Sequence, residues 1–194
     1  SSDAAVATVD KDTLTFTSSD WDQLQIVTVT SIGNNIDTDD ITVTITTSTS
    51  SDDVNYNGNF GSTQTITVID DDTAGIRYEN NIQIPINISK TILLELDTVV
   101  TEDVDITIID SSNRLDIHPD SFILSNEITK QDISIQTKEG SGISIGQVMT
   151  IDINCVSNDN KYNNLSSTLT ITFRQPDWFE TLYDDRTIDN SLID

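Results

Sequence analysis

Apolar and polar residues alternate along most of the chain, in short runs separated by turn-forming residues. Branched residues occupy every second position in residues 25–30, 41–46 and 65–68. This period of two places the apolar side chains on one face of a strand, whereas a helix would need a period near 3.6. Asp, Asn, Ser and Gly cluster between the runs and favour turns. The pattern therefore predicts an all-β chain of antiparallel strands, each with one buried face.

The series of strands and turns occurs twice. Residues 51–58 resemble residues 157–164, and their tyrosines, Tyr56 and Tyr162, lie 106 residues apart. A period of about 100 residues fits a seven-stranded sandwich better than a short solenoid repeat. We therefore expect two tandem antiparallel β-sandwiches of immunoglobulin-like appearance.

These repeats divide the chain into three segments: an incomplete sandwich at 1–73, a second sandwich at 74–174, and a tail at 175–194. The first copy has no counterpart to roughly the first thirty residues of the second, as counted against a seven-stranded sandwich. Such a unit has open sheet edges. Strands from other repeats of the same protein or from a neighbouring chain would complete it. In the tail, Asp177 and the apolar residues after it predict a short capped helix followed by a linker.

Two stretches of the first copy resemble a known family. Residues 14–29 contain a strand, a turn, Trp21 and a second strand. Residues 64–76 contain a closing strand, the triplet Asp70-Asp71-Asp72 and an Ala-Gly link. Both are similar to Calx-β repeats of large surface proteins, which are related to the calcium-binding domains of sodium–calcium exchangers. The resemblance implies sandwiches of the Calx-β type and roles in adhesion, matrix contact or calcium sensing.

The leading functional hypothesis is a structural or adhesive segment of a repeat-containing extracellular or cell-surface protein. Calcium at the junction between its domains would stiffen that segment. One alternative is a calcium-sensing regulatory module, in which the cation changes the shape of a larger protein. Another is a carbohydrate-binding accessory domain, for which a surface glycan is the partner.

The candidate calcium ligands are carboxylates. In calcium-sensing members of the family, the closing Asp triplet meets acidic residues of neighbouring loops. Residue by residue, this implies Asp70, Asp71 and Asp72 together with Asp37 and Asp39. The cation takes about six to eight oxygen ligands, several of them carboxylates where affinity is high. The alternative is that the triplet only ends a strand and keeps the junction soluble.

The charge balance excludes some partners. The chain has 33 acidic and 9 basic residues and a formal net charge of −24. Such a surface repels phosphate backbones and anionic membranes, so we expect no nucleic-acid binding. No apolar run approaches the length of a membrane span, so we expect no membrane insertion in this segment. Sequons at Asn87 and Asn164 would permit glycosylation in a eukaryotic secretory protein.

Catalytic patterns are missing from the sequence. A nucleophilic triad needs a nucleophile, a base and an orienting acid, but His118 is the sole histidine and follows no such arrangement. Cys155 continues the apolar alternation of Ile151 and Ile153, which predicts a buried structural thiol. Trp21 is expected to cover an edge of the first core. We therefore expect that the chain is not an enzyme.

Overall fold

The computed structural model describes residues 1–177, and every regular element in that range is a β-strand. The all-β prediction is therefore confirmed for these residues. They contain no helical segment with the length and hydropathy of a membrane span. The helix predicted to follow Asp177 lies outside the described residues. Two compact units divide the chain, the first at Ser1–Asp72 and the second beginning at Thr73.

The second unit is a two-sheet β-sandwich. Its strands are β5 (Ile76–Tyr78), β6 (Ile82–Pro85), β7 (Lys90–Leu96), β8 (Val104–Ile109), β9 (Leu115–His118), β10 (Ser121–Leu124), β11 (Lys130–Thr137), β12 (Val148–Ser157) and β13 (Ser166–Arg174). One sheet has the order β10-β8-β12-β13-β6 and the other the order β5-β7-β11-β9. All neighbours are antiparallel except β13 and β6, which pair in parallel.

Alternating residues of the second unit form its hydrophobic core. In β8, for example, Val104, Ile106 and Ile108 are buried and the residues between them are exposed. Each such side chain stabilises the fold by about 1.5–3 kcal/mol. Cys155 lies in this core as its place in the alternation predicts, and burial raises the pKa of its thiol to about 11. The thiol therefore stays protonated at neutral pH.

The first unit has four strands and little core. They are β1 (Ala7–Val9), β2 (Val29–Ser31), β3 (Ile41–Ser48) and β4 (Gly61–Val68). They form two antiparallel pairs, β1 with β2 and β3 with β4. The buried apolar residues of this unit are Ala7 and Val43. The expectation that Trp21 covers a core edge is wrong, because this side chain is 72% exposed.

The strand registers of the two units correspond. Ala7 pairs with Ser31 in the first unit as Leu115 pairs with Thr137 in the second. The β3–β4 ladder aligns in the same way with the β12–β13 ladder. The four strands of the first unit are thus equivalent to β9, β11, β12 and β13. Among residues 1–72 nothing corresponds to the paired strands β5, β6, β7 and β8.

Candidate functional site

The predicted calcium ligands lie in the first unit, on both sides of β3 and β4. The backbone N–H and the hydroxyl of Thr38 donate to the Asp70 carboxylate at 3.0 and 3.2 Å. The backbone N–H of Asp70 in turn donates to the Asp40 carboxylate at 3.0 Å. Asp39 is exposed in the same loop. These bonds tie the loop before β3 to the end of β4 through carboxylate oxygens.

Asp72 is the carboxylate of this cluster that is least favourably placed for its charge. One of its carboxylate oxygens is buried and has no hydrogen-bond partner among residues 1–177. Its removal from water raises the pKa of Asp72, and the negative charges of Asp70, Asp71 and Asp37 raise it further. Asp37, Asp70 and Asp71 therefore lie within electrostatic reach of Asp72.

Electrostatic proximity alone does not make a cation site. Within residues 1–177, no three His, Cys, Asp or Glu side chains meet closely enough to hold a metal ion. Asp70 already accepts two bonds from Thr38, whereas Ca²⁺ needs about six oxygens at one point. Calcium binding by Asp37, Asp39 and Asp70–Asp72 stays a prediction.

A neutral side chain at Asp72 is expected to stabilise the first unit at pH 7. Because folding raises the pKa of Asp72, its charge costs stability above that pKa, and the cost disappears as the pH falls. Asp72→Asn removes the charge and keeps the shape. Thermal unfolding of the whole chain at low salt should show a higher midpoint for the variant at pH 7, converging with the parent near pH 4. Asp71→Asn, at an exposed position, is the matched control, and an equal rise in both variants would contradict this assignment.

The second candidate site is the unpaired outer edge of β3. Inside the first unit, this strand has β4 on one side and no described strand on the other. Among the described residues of this unit, Ser2 contacts this edge, with its N–H donating to the Thr44 carbonyl and its hydroxyl accepting from the Thr44 N–H, at 2.9 and 3.0 Å. In the second unit, the equivalent edge of β12 is occupied by β8 over residues 152–157. The first unit leaves open an edge that the second unit fills.

A loop with a buried tyrosine closes the second unit. The Tyr162 side chain is 1% exposed. Its hydroxyl lies 2.9 Å from the Thr98 hydroxyl and accepts from the Thr98 N–H at 3.1 Å. The Asp159 carboxylate accepts from the N–H and hydroxyl of Thr101 at 2.8 and 2.9 Å. Two side chains of the loop after β12 thus hold the loop between β7 and β8.

The first unit has the same loop without its partners. The N–H groups of Tyr56 and Asn57 donate to the Asp53 carbonyl, as those of Tyr162 and Asn163 donate to that of Asp159. Yet Tyr56 is 58% exposed. Sequence reasoning used Tyr56 and Tyr162 as repeat markers and missed this difference. The signal that could have found it is the shared Ser-x-Asp-x-x-Tyr pattern, combined with the absence of a counterpart to the β7–β8 loop.

Comparison with known proteins gives structural likeness only. No family model matches the chain, and no curated protein matches it. The periplasmic chaperone SfaE is similar at 10% identity and a TM-score of 0.42, over 53% of this chain and 59% of that one. The E. coli chaperone DraB is similar at 12% identity and a TM-score of 0.38, over 54% and 57%. A putative carbohydrate-binding protein from Bacteroides ovatus is similar at 9% and 0.37, over 53% and 37%.

The expected membership in the Calx-β family is wrong. No family model supports it, and chaperones stand among the similar structures instead. Two functions derived from it are corrected with it: the structural or adhesive repeat segment and the calcium-sensing module. The physical reason is that the quoted motifs record strand alternation and acidic turns. Any acidic β-sandwich needs these, so they do not single out one family.

Several expectations stay predictions. They are the absence of enzymatic activity, the absence of nucleic-acid binding, the extracellular or cell-surface location, and a surface glycan as partner. The two-sheet β-sandwich is established for the second unit by its own strand order.

Proposed function

We propose that the chain is a protein-interaction module whose first unit takes up an extended strand supplied from outside residues 1–72. The observation that carries this proposal is the open outer edge of β3, whose equivalent on β12 is paired with β8. An unpaired edge presents a row of backbone N–H and C=O groups that another strand can satisfy. Strand addition of this kind is a recurring mode of peptide recognition.

The inner face of the β3–β4 pair supports strand addition. Ile41, Ile45, Ile66 and Val68 share the face of the buried Val43 by strand alternation, and all four remain exposed or half-buried. In the second unit, the positions equivalent to Ile45, Ile66 and Val68 are Ile151, Ile171 and Phe173, and all three are buried. A partner that brings apolar side chains to this face would remove it from water, at about 25 cal/mol per Å².

The net charge of the first unit also restricts the charge of the partner segment. Residues 1–72 contain 13 Asp and one Lys, a net charge of −12. A strongly acidic strand would be repelled from this unit, whereas one with lysine or arginine on its outer face would be attracted. The proposed partner segment is therefore extended, apolar on alternate positions, and neutral or basic.

A peptide with the sequence of β8 tests this proposal. We define the β8 peptide as residues 102–109 with Glu102→Lys and Asp105→Lys, which removes its excess negative charge. Saturable binding to the whole chain is expected in calorimetry. Amide exchange is expected to slow at Thr46 and Ser48, whose outward N–H groups lie on the open edge.

Backbone methylation provides matched control peptides. In the second unit Thr107 faces Asn154 across the ladder, where residues 152, 154 and 156 point their N–H and C=O groups at β8. Methylating the N–H of Thr107 removes a ladder bond and should weaken binding at least about tenfold, or 1.4 kcal/mol. Methylating that of Ile106, which points away from β12, should change little. Equal affinity of both methylated peptides would show that the β3 edge does not bind the strand.

A further inference from the structure

Resting on the proposed function, we infer that the bound segment is a pair of strands joined by a hydroxyl-bearing loop, which receives Tyr56 and Asp53. This segment supplies to the first unit what β7, the following loop and β8 supply in the second unit. This goes beyond single-strand addition because it assigns a second contact site and its chemistry.

Two open edges of the first unit call for two strands. In the second unit, β11 pairs with β7 over residues 130–135 and β12 pairs with β8 over residues 152–157. By the 106-residue repeat, the equivalent stretches are residues 24–29 and 46–51. Neither stretch has a strand partner on that side among the described residues. A single β8-like strand would fill only one of these edges.

The loop that joins β7 and β8 explains the conformation of residues 51–58. In both units the turn is fixed from within. Asp53 accepts from the N–H of Asn55 at 2.9 Å, as Asp159 accepts from that of Lys161 at 2.9 Å. Asp53 and Tyr56 of the first unit therefore lie in the same loop conformation that the second unit uses to bind Thr98 and Thr101.

In the first unit this conformation leaves the Tyr56 side chain exposed. Tyr56 contacts the ring of Phe60, with ring centroids 5.6 Å apart, and both side chains remain more than half exposed. A tyrosine in solvent gains little from so constrained a loop, whereas docking of a hydroxyl-bearing loop would bury the ring and satisfy its hydroxyl. The groups required on the partner are thus a backbone N–H, which donates, and a Ser or Thr hydroxyl.

A longer peptide tests the inference on the whole chain. We define the hairpin peptide as residues 88–109 with Glu102→Lys and Asp105→Lys. The native segment has five acidic residues and one lysine, so these two changes bring its net charge to zero. The probe is compared with its Thr98→Val form, against the parent chain and against Tyr56→Phe. Phenylalanine keeps the ring and removes only the hydroxyl.

We expect the effects of Thr98→Val and Tyr56→Phe on binding to be non-additive. Thr98→Val should weaken binding to the parent about tenfold, and should have little further effect on binding to Tyr56→Phe, because the same hydrogen bond is already lost. Binding of the hairpin peptide should slow amide exchange at both edges, residues 24–29 and residues 46–51. The matched control is Tyr78→Phe, in the second unit, which should leave peptide binding unchanged.

The outcomes separate the two proposals. If the hairpin peptide binds but Thr98→Val weakens it equally for both chains, the loop contact is wrong and strand addition stands. If neither the β8 peptide nor the hairpin peptide binds, both proposals fail.

Discussion

Tyr162→Ala is expected to destabilise the second unit by about 3–5 kcal/mol, the usual cost of removing a buried aromatic side chain. The ring is completely enclosed in the core cluster, and its hydroxyl holds Thr98 of the β7–β8 loop. Truncation therefore leaves both a cavity and unpaired polar groups. Tyr56→Ala, at the equivalent exposed position, should cost less than about 1 kcal/mol because it removes no core contact.

Urea unfolding of the two variants, followed by amide exchange so that each unit is read separately, measures this contrast. Tyr162→Phe separates the two contributions: it should cost about 1 kcal/mol, since it removes the hydrogen bonds and keeps the ring. Comparable losses from Tyr56→Ala and Tyr162→Ala would contradict the exposure of Tyr56. That result would also remove the basis for a docking loop in the first unit.

The strands that could be predicted from the sequence are those with a neighbour to pair with. Residues 41–46 and 104–108 alternate and form β3 and β8, because β4 and β12 lie beside them. Residues 14–17 also alternate, yet they form no strand. Their equivalent in the second unit, β10, pairs with β8, which has no counterpart in the first unit.

The need for a neighbouring strand is also visible within the single strand predicted at residues 25–30. Only Val29–Ser31 is a strand, and this is the part that pairs with β1. Residues 25–28 correspond to the part of β11 that pairs with β7, which is the missing neighbour. Alternation reports which face a strand would bury, but hydrogen bonding to a neighbour decides whether the strand forms.

The candidate sites were predictable to different degrees. Charge repulsion around Asp72 follows from its position in an Asp triplet, so its proximity to Asp70 and Asp71 needs no tertiary information. The bonds from Thr38 to Asp70 do need it, because 32 residues separate these two. The role of the Tyr56 loop could not be predicted from the first unit alone, because it becomes visible only when the loop is compared with its buried copy.

Acid is expected to weaken the second unit through Asp159, which is 5% exposed. Burial alone would raise the pKa of this carboxyl, but bonds from Thr101, Lys161 and Tyr162 outweigh burial and lower the pKa from its ordinary value of 3.8. A lowered pKa in the folded state contributes stability that is fully present above 3.8. This contribution is lost as the pH falls through the folded value.

Asp159→Asn should therefore cost about 1.5–3 kcal/mol at pH 7, the range expected for hydrogen bonds to a charged group. The difference in the free energy of unfolding between parent and variant should shrink below about pH 4, because the parent's carboxylate is then protonated while the amide is unchanged. Asp110, whose pKa is also lowered, is present in both chains and cancels from the comparison. Urea unfolding between pH 7 and pH 2 measures the difference directly.

The repeat supplies the matched control. Asp53→Asn changes the equivalent residue, whose carboxylate accepts from Asn55 but from no counterpart of Thr101 within the described chain. It should cost less than about 1 kcal/mol at pH 7. A difference for Asp159→Asn that stays constant with pH would show that the charge of Asp159 is not what holds the β7–β8 loop. A large cost for Asp53→Asn without a bound peptide would show that the first unit already satisfies this carboxylate by itself, and the docking loop would then have no role.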